Sequence, residues 1–406
     1  MATDPRTFTR HAEVHRLAVA GRQAEIARHV GDQVCRVWLR TSRFAAAEAM
    51  ATATLALGQD AGAFSYRGWA RSSTGRPWLA LEDYQQALTI YQQAGDRGSE
   101  AATLNNIGFV YSRLGDRQRA LGHFHRALPI TREVGDRAGE AVTLNNIGLV
   151  HDGLGDRQLA LDHFHRALPI LREVGDRAGE AVALSNVGSV YDRLGDRQLA
   201  LDHFHRALPI LREVGDRAGE AVALSNIGHV YDRLGDRQRA LDHYHQALPI
   251  QRETGDRAGE AATLNNIGGV YDGLGDRQRA LDHYHQALPI RREVGDRAGE
   301  AATLNNIGSV YDRLGDRQLA LDHFHRALPI RREVGDRIGE AVTRLNIAMV
   351  HWAEGDLDQA IQELEHVVDL DRQVDHPSLE DHTAFLEQLR RQRAEDRRSE
   401  PPPTGP

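Results

Sequence analysis

The sequence predicts an all-α protein, a right-handed superhelical solenoid of antiparallel helix pairs. Three observations carry that expectation. A 40-residue unit recurs along the chain, with GDRAGEA beginning at 135, 175, 215, 255 and 295 and the variants GDRGSEA at 95 and GDRIGEA at 335. Inside each unit, apolar residues fall at i, i+3 and i+4, the spacing of a helix that buries one face. A Gly-Asp pair closes each helical stretch, the glycine suited to a left-handed stop and the aspartate to an N-cap. One such helix pair buries too little apolar surface to stand alone, so neighbouring units must stack.

Residues 1–55 carry helical patterning around 34–38 and 44–57 and read as a divergent N-terminal cap. Weak copies of the unit at 56–95 and 336–375 flank six near-identical copies over 96–335, giving an array of about eight repeats over 56–375. In the copy at 96–135, Ala101, Leu104, Ile107, Gly108 and Tyr111 form the inward face of a first helix. Gly115 ends that helix and Asp116 caps the second, whose inward face holds Ala120, Phe124, Ala127 and Leu128. Gly135 and Asp136 repeat the device before the next unit.

Prolines punctuate the second helices. Pro129, Pro169, Pro209, Pro249, Pro289 and Pro329 each sit well inside one. There proline removes a backbone hydrogen bond and crowds the carbonyl four residues back, so a kink or a short break is expected at each. Thr89 and Asp369 hold the column in the flanking copies, which should run straighter. Residues 376–397 fit a polar-faced capping helix beginning near Pro377 and Ser378, and the tail 398–406 reads as disordered.

Composition excludes several chemistries. All 50 basic residues are arginine, so a phosphate-loop lysine, a Schiff base and a kinase-type strand lysine are impossible. A net charge of −8 disfavours non-specific binding to nucleic acid or an anionic membrane. No run of 18 apolar residues is present and MATDPRTFTRH lacks the apolar stretch of a signal peptide, so a cytoplasmic location is expected. The single cysteine, Cys35, has no partner for an internal disulfide and reads as a small buried apolar residue.

The order Leu104, Ile107-Gly108, Tyr111, Ala120, Phe124 and Ala127, recurring every 40 residues, resembles the tetratricopeptide repeat. Leucine stands where that family usually has tryptophan, and the unit exceeds the family's usual ~34 residues, lengthening the second helix past the proline. The longer LNNIG-type unit is similar to the repeats of kinesin light chains and of many bacterial signalling proteins. The resemblance implies a non-catalytic interaction scaffold without cofactor, binding a peptide or partner-protein segment in a concave groove lined by first helices.

Carried along the repeats, the implied groove holds Asn105, Phe109, Ser112 and Arg113, then Asn145, Leu149 and Asp152, then Ser189, Asp192 and Arg193. It continues with His229, Asp232 and Arg233, then Asn265, Gly269 and Asp272, then Asn305, Ser309, Asp312 and Arg313. One column supports this independently. Copies that are otherwise almost identical read Phe109, Leu149, Ser189, His229, Gly269, Ser309 and Met349. A core position would not accept glycine for phenylalanine without a cavity costing ~3–5 kcal/mol, so the column faces solvent or a ligand. Beside it, asparagine amides suit the backbone of an extended peptide, and Asp and Arg suit its charges. The lysine-containing carboxylate clamp of chaperone-binding relatives is impossible here.

Other constellations carry less. Twelve of the 21 histidines form paired columns from His123/His125 to His323/His325. Residues two apart point about 200° apart on a helix, so one pair does not chelate an ion and no metal site is assigned. Full protonation of the histidines would carry the formal charge from −8 to +13, which predicts self-repulsion near pH 5. GLGDRQ at 153 and 273 looks like a phosphate loop but lies between helices, and reads as a cap. The Asp-Arg pairs read as turn caps with exposed charges. Near-identical repeats also permit self-association. The alternative function is a ligand- or peptide-sensing module, because the alanine-rich start and the HPSLEDHTAFLEQLR end look similar to sensor regions of bacterial regulatory ATPases.

Overall fold

The computed structural model describes residues 5–399, and among these twenty α-helices follow one another with no strand between them. The first five are α1 (Pro5–Ala20), α2 (Ala24–Arg40), α3 (Phe44–Leu55), α4 (Ala61–Ser73) and α5 (Pro77–Ala94). The repeats supply α6 (Arg97–Arg113), α7 (Arg117–Glu133), α8 (Arg137–Leu154), α9 (Arg157–Glu173), α10 (Arg177–Leu194), α11 (Arg197–Val214), α12 (Arg217–Arg233) and α13 (Arg237–Thr254). They continue through α14 (Arg257–Leu274), α15 (Arg277–Glu293), α16 (Arg297–Leu314), α17 (Arg317–Glu333), α18 (Arg337–Glu354) and α19 (Leu357–Gln373) to α20 (Leu379–Ser399). Two compact units are present, one running through Ile210 and the other beginning at Leu211.

In the first unit, α4 packs with α5, α6 with α7 and α8 with α9; in the second, α12 packs with α13, α14 with α15, α16 with α17 and α18 with α19. Each pair buries the faces that periodicity picked out. Ala101, Leu104 and Ile107 of α6 and Ala120, Phe124 and Ala127 of α7 are all buried. A Cβ added at Gly108 would come within 2.7 Å of the Phe124 ring, so glycine there lets the two helices approach. Gly115 (φ 82°) ends α6 and Asp116 accepts a hydrogen bond from the Arg119 amide at 3.0 Å. The phosphate-loop lookalike resolves the same way, since Gly155 has φ 89° and closes α8.

The break expected at the prolines does not occur. α7 runs through Pro129 to Glu133 and α9 through Pro169 to Glu173, as do the helices holding Pro209, Pro249, Pro289 and Pro329. The reason lies in which face proline occupies. Pro129 and His125, whose carbonyl loses its partner, are both exposed, so the freed carbonyl is open to solvent and the helix need not break.

The N-terminal region has more helix than its pattern suggested. The sequence located α2 and α3 but not α1, which packs on both. Buried His15 of α1 is 2.8 Å from the Thr54 hydroxyl of α3. Cys35 is buried as expected, and burial pushes its thiol up to about 12. At the other end, α20 packs on α19 through Leu386 and Leu389 and extends over 398–399, where a disordered tail was expected. The remainder of that tail, 400–406, lies outside the described residues.

A chain of ion pairs ties consecutive repeats together, and here the turn-cap reading of the arginines needs correction. Glu140 is buried at the start of α8 and accepts from Arg132 Nε at 2.7 Å, across the turn from α7. It also pairs with Arg137, which reaches on to Glu173 at the end of α9 at 2.9 Å. The arrangement recurs with Arg252, Glu260, Arg257 and Glu293, and with Arg292, Glu300, Arg297 and Glu333. The buried glutamate of each such set therefore joins one repeat to the next, and the arginine of the GDR segment before it carries the link on to the second helix of its own repeat.

Candidate functional site

Within their units, the first helices lie side by side: α6, α8 and α10 in the first, and α12, α14, α16 and α18 in the second. On α8, Leu144, Ile147 and Val150 are buried toward α9 and fix the helix orientation. Asn145, Leu149 and Asp152 then share the opposite stripe, spaced by four and three residues. The variable column stands out on it. Phe109 is 45% exposed, Leu149 41% and Met349 39%, while Ser189 and Ser309 are half-buried and His229 and Gly269 exposed. Three large apolar side chains so open to water, in a column that differs from copy to copy, support a contact surface.

The asparagines do something the sequence did not disclose. Asn146 donates its amide N–H to the Asn105 side-chain oxygen at 3.2 Å, and Asn186 to Asn145 at 3.1 Å. In the second unit, Asn306 bonds to Asn265 at 3.2 Å and Asn346 to Asn305 at 3.1 Å. Asn146, Asn186, Asn306 and Asn346 thus each lock neighbouring first helices together. Asn105, Asn145, Asn265 and Asn305 accept those bonds through their side-chain oxygens. Where serine replaces asparagine, Ser225 lies 3.2 Å from the Thr263 hydroxyl.

Several charges expected to face a ligand are instead spent on each other. Arg193 pairs with Asp152, its Nε 3.2 Å from Oδ1, and Arg313 pairs with Asp272. Both pairs span 41 residues, one repeat plus one. That register brings no opposite charge to three predicted residues. Arg113 meets Ser72 rather than an aspartate and reaches only its carbonyl, at 3.4 Å. Asp232 is met by Gly273 and Asp312 by Ala353, neither of which carries charge. Beside Arg113 a cavity of about 210 Å³ is lined by Trp69, Ser72, Tyr84, Asn106 and Phe109. Trp69 and Tyr84 lie in the weak first copy, where the repeat pattern is too diluted to single them out.

The histidine columns occupy the second helices. The inner histidine stacks on a first-helix ring in five of the six pairs, beginning with His123 on Tyr111 at 5.6 Å, His163 on His151 at 5.6 Å and His203 on Tyr191 at 5.5 Å. In the second unit His243 stacks on Tyr231 and His283 on Tyr271, both at 5.5 Å. Burial, followed by the neighbouring Arg166 or Arg206, holds His163 and His203 down to about 4. His163 and His203 therefore resist protonation, so the charge of +13 overstates the folded protein near pH 5. Among the described residues no group of three or more His, Cys, Asp or Glu is placed to hold a metal ion. None of their helices is long and apolar enough to cross a membrane.

Comparison with known proteins agrees with this geometry. The tetratricopeptide repeat family model matches residues 99–173, 153–213, 179–253, 219–293 and 299–373. No curated protein matches the sequence. Among solved structures, the STAND ATPase with a tetratricopeptide repeat sensor from Pyrococcus horikoshii is similar with TM-score 0.66 at 14% identity. That likeness covers 89% of this chain, which spans only 55% of the ATPase. The apo quorum sensor NprR from B. thuringiensis has TM-score 0.61 at 16% identity, over 84% of this chain and 97% of its own. A Rap protein complexed with Competence and Sporulation Factor has TM-score 0.51 at 16% identity, over 92% and 99%. At such identities these structures speak for the fold. The family model covers well over half of the sequence, and the chain belongs to the tetratricopeptide repeat family.

Proposed function

We propose that the chain is a non-catalytic interaction module that binds a peptide or partner-protein segment along its first helices. One observation carries this reading: an exposed, variable column stands on helices that are otherwise near-identical and locked together by asparagine bonds. Variation between copies at an exposed column on a shared frame suits the choice of a ligand. The accepting asparagines add amide donors of the kind that hold an extended backbone. A net charge of −8 supports a protein partner over nucleic acid.

The test is capture from cell lysate by wild type beside a variant carrying Ser189→Arg, Gly269→Arg and Ser309→Arg, with circular dichroism confirming intact helices. A partner kept by wild type and lost by the variant supports the first-helix face. Equal capture by both contradicts it.

A sensing role is the second reading. It draws support from proteins of this fold that are named a quorum sensor and a complex with Competence and Sporulation Factor. A secreted peptide that changes the radius of gyration on binding would favour sensing over a passive scaffold. An unchanged radius would favour the scaffold.

A further inference from the structure

We propose that Gly269 opens an anchor subsite for a basic side chain, the guanidinium of arginine or the ammonium of lysine in an extended peptide, held by Asp232, Asp272 and Tyr284. The inference rests on the first-helix face being the binding face and adds the chemistry it selects.

The notch comes from one missing side chain. At the six other positions of the variable column a side chain covers the spot, from serine up to phenylalanine. At Gly269 there is none, and a Cβ built there would lie 3.7 Å from the Tyr284 hydroxyl. Tyr284 is 2% exposed, and none of the hydrogen bonds among the described residues engages its hydroxyl. Phenylalanine holds the equivalent place at 124, 164, 204 and 324, so ring packing alone does not call for the hydroxyl. The ring is buried while the hydroxyl at its tip opens onto the notch, where it is placed to bond a guest.

Charge around the notch is unbalanced. Asp272 gives one carboxylate oxygen to Arg313, while its Oδ1 is buried without a partner. Among the described residues Asp232 has no ion pair, because the register that joins Arg313 to Asp272 brings Gly273 to Asp232. Arg237 lies against Gly273 but forms no ion pair with Asp232 among the described residues. Burial and then the charge of Asp272 push the Tyr284 hydroxyl pKa up, with Asp232 acting the same way and Arg313 opposing them. The hydroxyl is therefore neutral and accepts an N–H, while Asp232 supplies the charge and Asp272 Oδ1 a second acceptor. A guanidinium or an ammonium brings several donors and one positive charge, which answers all three.

The experiment selects binders from a displayed library of random heptapeptides on the full chain, with Gly269→Trp, Asp232→Asn and Tyr284→Phe run in parallel. Gly269 is exposed, asparagine is isosteric with aspartate, and phenylalanine already serves at position 324, so all three variants should fold, as circular dichroism will verify. Arginine or lysine should be enriched at one position, and citrulline in its place should weaken binding about tenfold or more. Gly269→Trp and Asp232→Asn should each abolish that preference. Peptides that lose binding to Ser309→Arg yet show no basic preference would overturn the subsite and leave the first-helix face standing. An empty selection would overturn both. Agmatine displacing a selected peptide at the peptide's own half-saturating concentration would assign the notch to free amines and overturn the peptide.

Discussion

Arg252 donates its Nε–H to the buried carboxylate of Glu260 at 2.7 Å, across the turn from α13 to α14. Glu260 also accepts from Arg257, and Arg257 reaches Glu293 at the end of α15 at 2.7 Å. One glutamate thus holds the end of one repeat to the start of the next, and its arginine partner carries the link one helix further.

Replacing Glu260 with alanine removes the acceptor from both arginines. Their side chains are about half exposed, so they rehydrate, and the cost stays near that of lost charge-assisted bonds. Glu260→Ala is expected to destabilise by about 1–2 kcal/mol in urea unfolding followed by circular dichroism. An unchanged midpoint would mean the link contributes nothing.

Acid should act through the inner histidines. His163 and His203 sit at about 4, below the ordinary 6.5, so between those values the unfolded chain takes up protons that the folded chain refuses. Their stabilisation is complete above pH 6.5 and is lost progressively as pH falls from 6.5 toward 4. Glu180 and Glu220, held below the usual carboxylate range by Arg172/Arg177 and Arg212/Arg217 against the opposing effect of burial, add a loss at lower pH, below 4.5. His163→Phe with His203→Phe should flatten the dependence of the urea midpoint on pH between 7 and 5. An equal slope in both proteins would contradict this assignment.

Two adjacent glycines give opposite predictions. A Cβ at Gly268 would come within 2.7 Å of the Tyr284 ring, so Gly268→Ala should destabilise by about 1–3 kcal/mol. At Gly269 the same Cβ meets nothing closer than 3.7 Å, and the backbone is helical and exposed. Gly269→Ala should therefore stabilise by about 0.5–1 kcal/mol, through helix propensity. Thermal unfolding of the two variants side by side settles the matter, and shifts of the same sign would contradict the packing.

Proline 169 is exposed inside an unbroken α9. Pro169→Ala restores an amide to the His165 carbonyl, which is now open to solvent. A gain of about 1–3 kcal/mol is expected, measured by urea unfolding. Loss of stability would show that proline is needed for the fit between neighbouring repeats.

Much of this architecture was legible because the repeat states each contact several times. Gly108 and Phe124 lie on the inward faces that periodicity assigns, and Asp116 caps where the turn chemistry says it should. Pro129 misled because helix periodicity says where a residue sits along the turn but not that its i−4 carbonyl is open to water. The site was legible as a column and not as a network. The variation at Phe109, Leu149 and Gly269 marks exposure, whereas the bond from Asn146 to Asn105 depends on a 41-residue offset between neighbouring helices. That offset also decides that Arg313 meets Asp272 while Asp232 meets Gly273, which no single repeat reveals.

Hydrogen–deuterium exchange on the full chain, with and without a partner or peptide that survives the capture experiment, tests the central claim most directly. Binding along the first helices predicts added protection in peptides covering 105–113, 145–152, 185–193, 225–233, 265–272 or 305–313, with the histidine-bearing segments around 123–125 through 323–325 unchanged. Protection confined to those histidine segments, or to α1–α3, would contradict it.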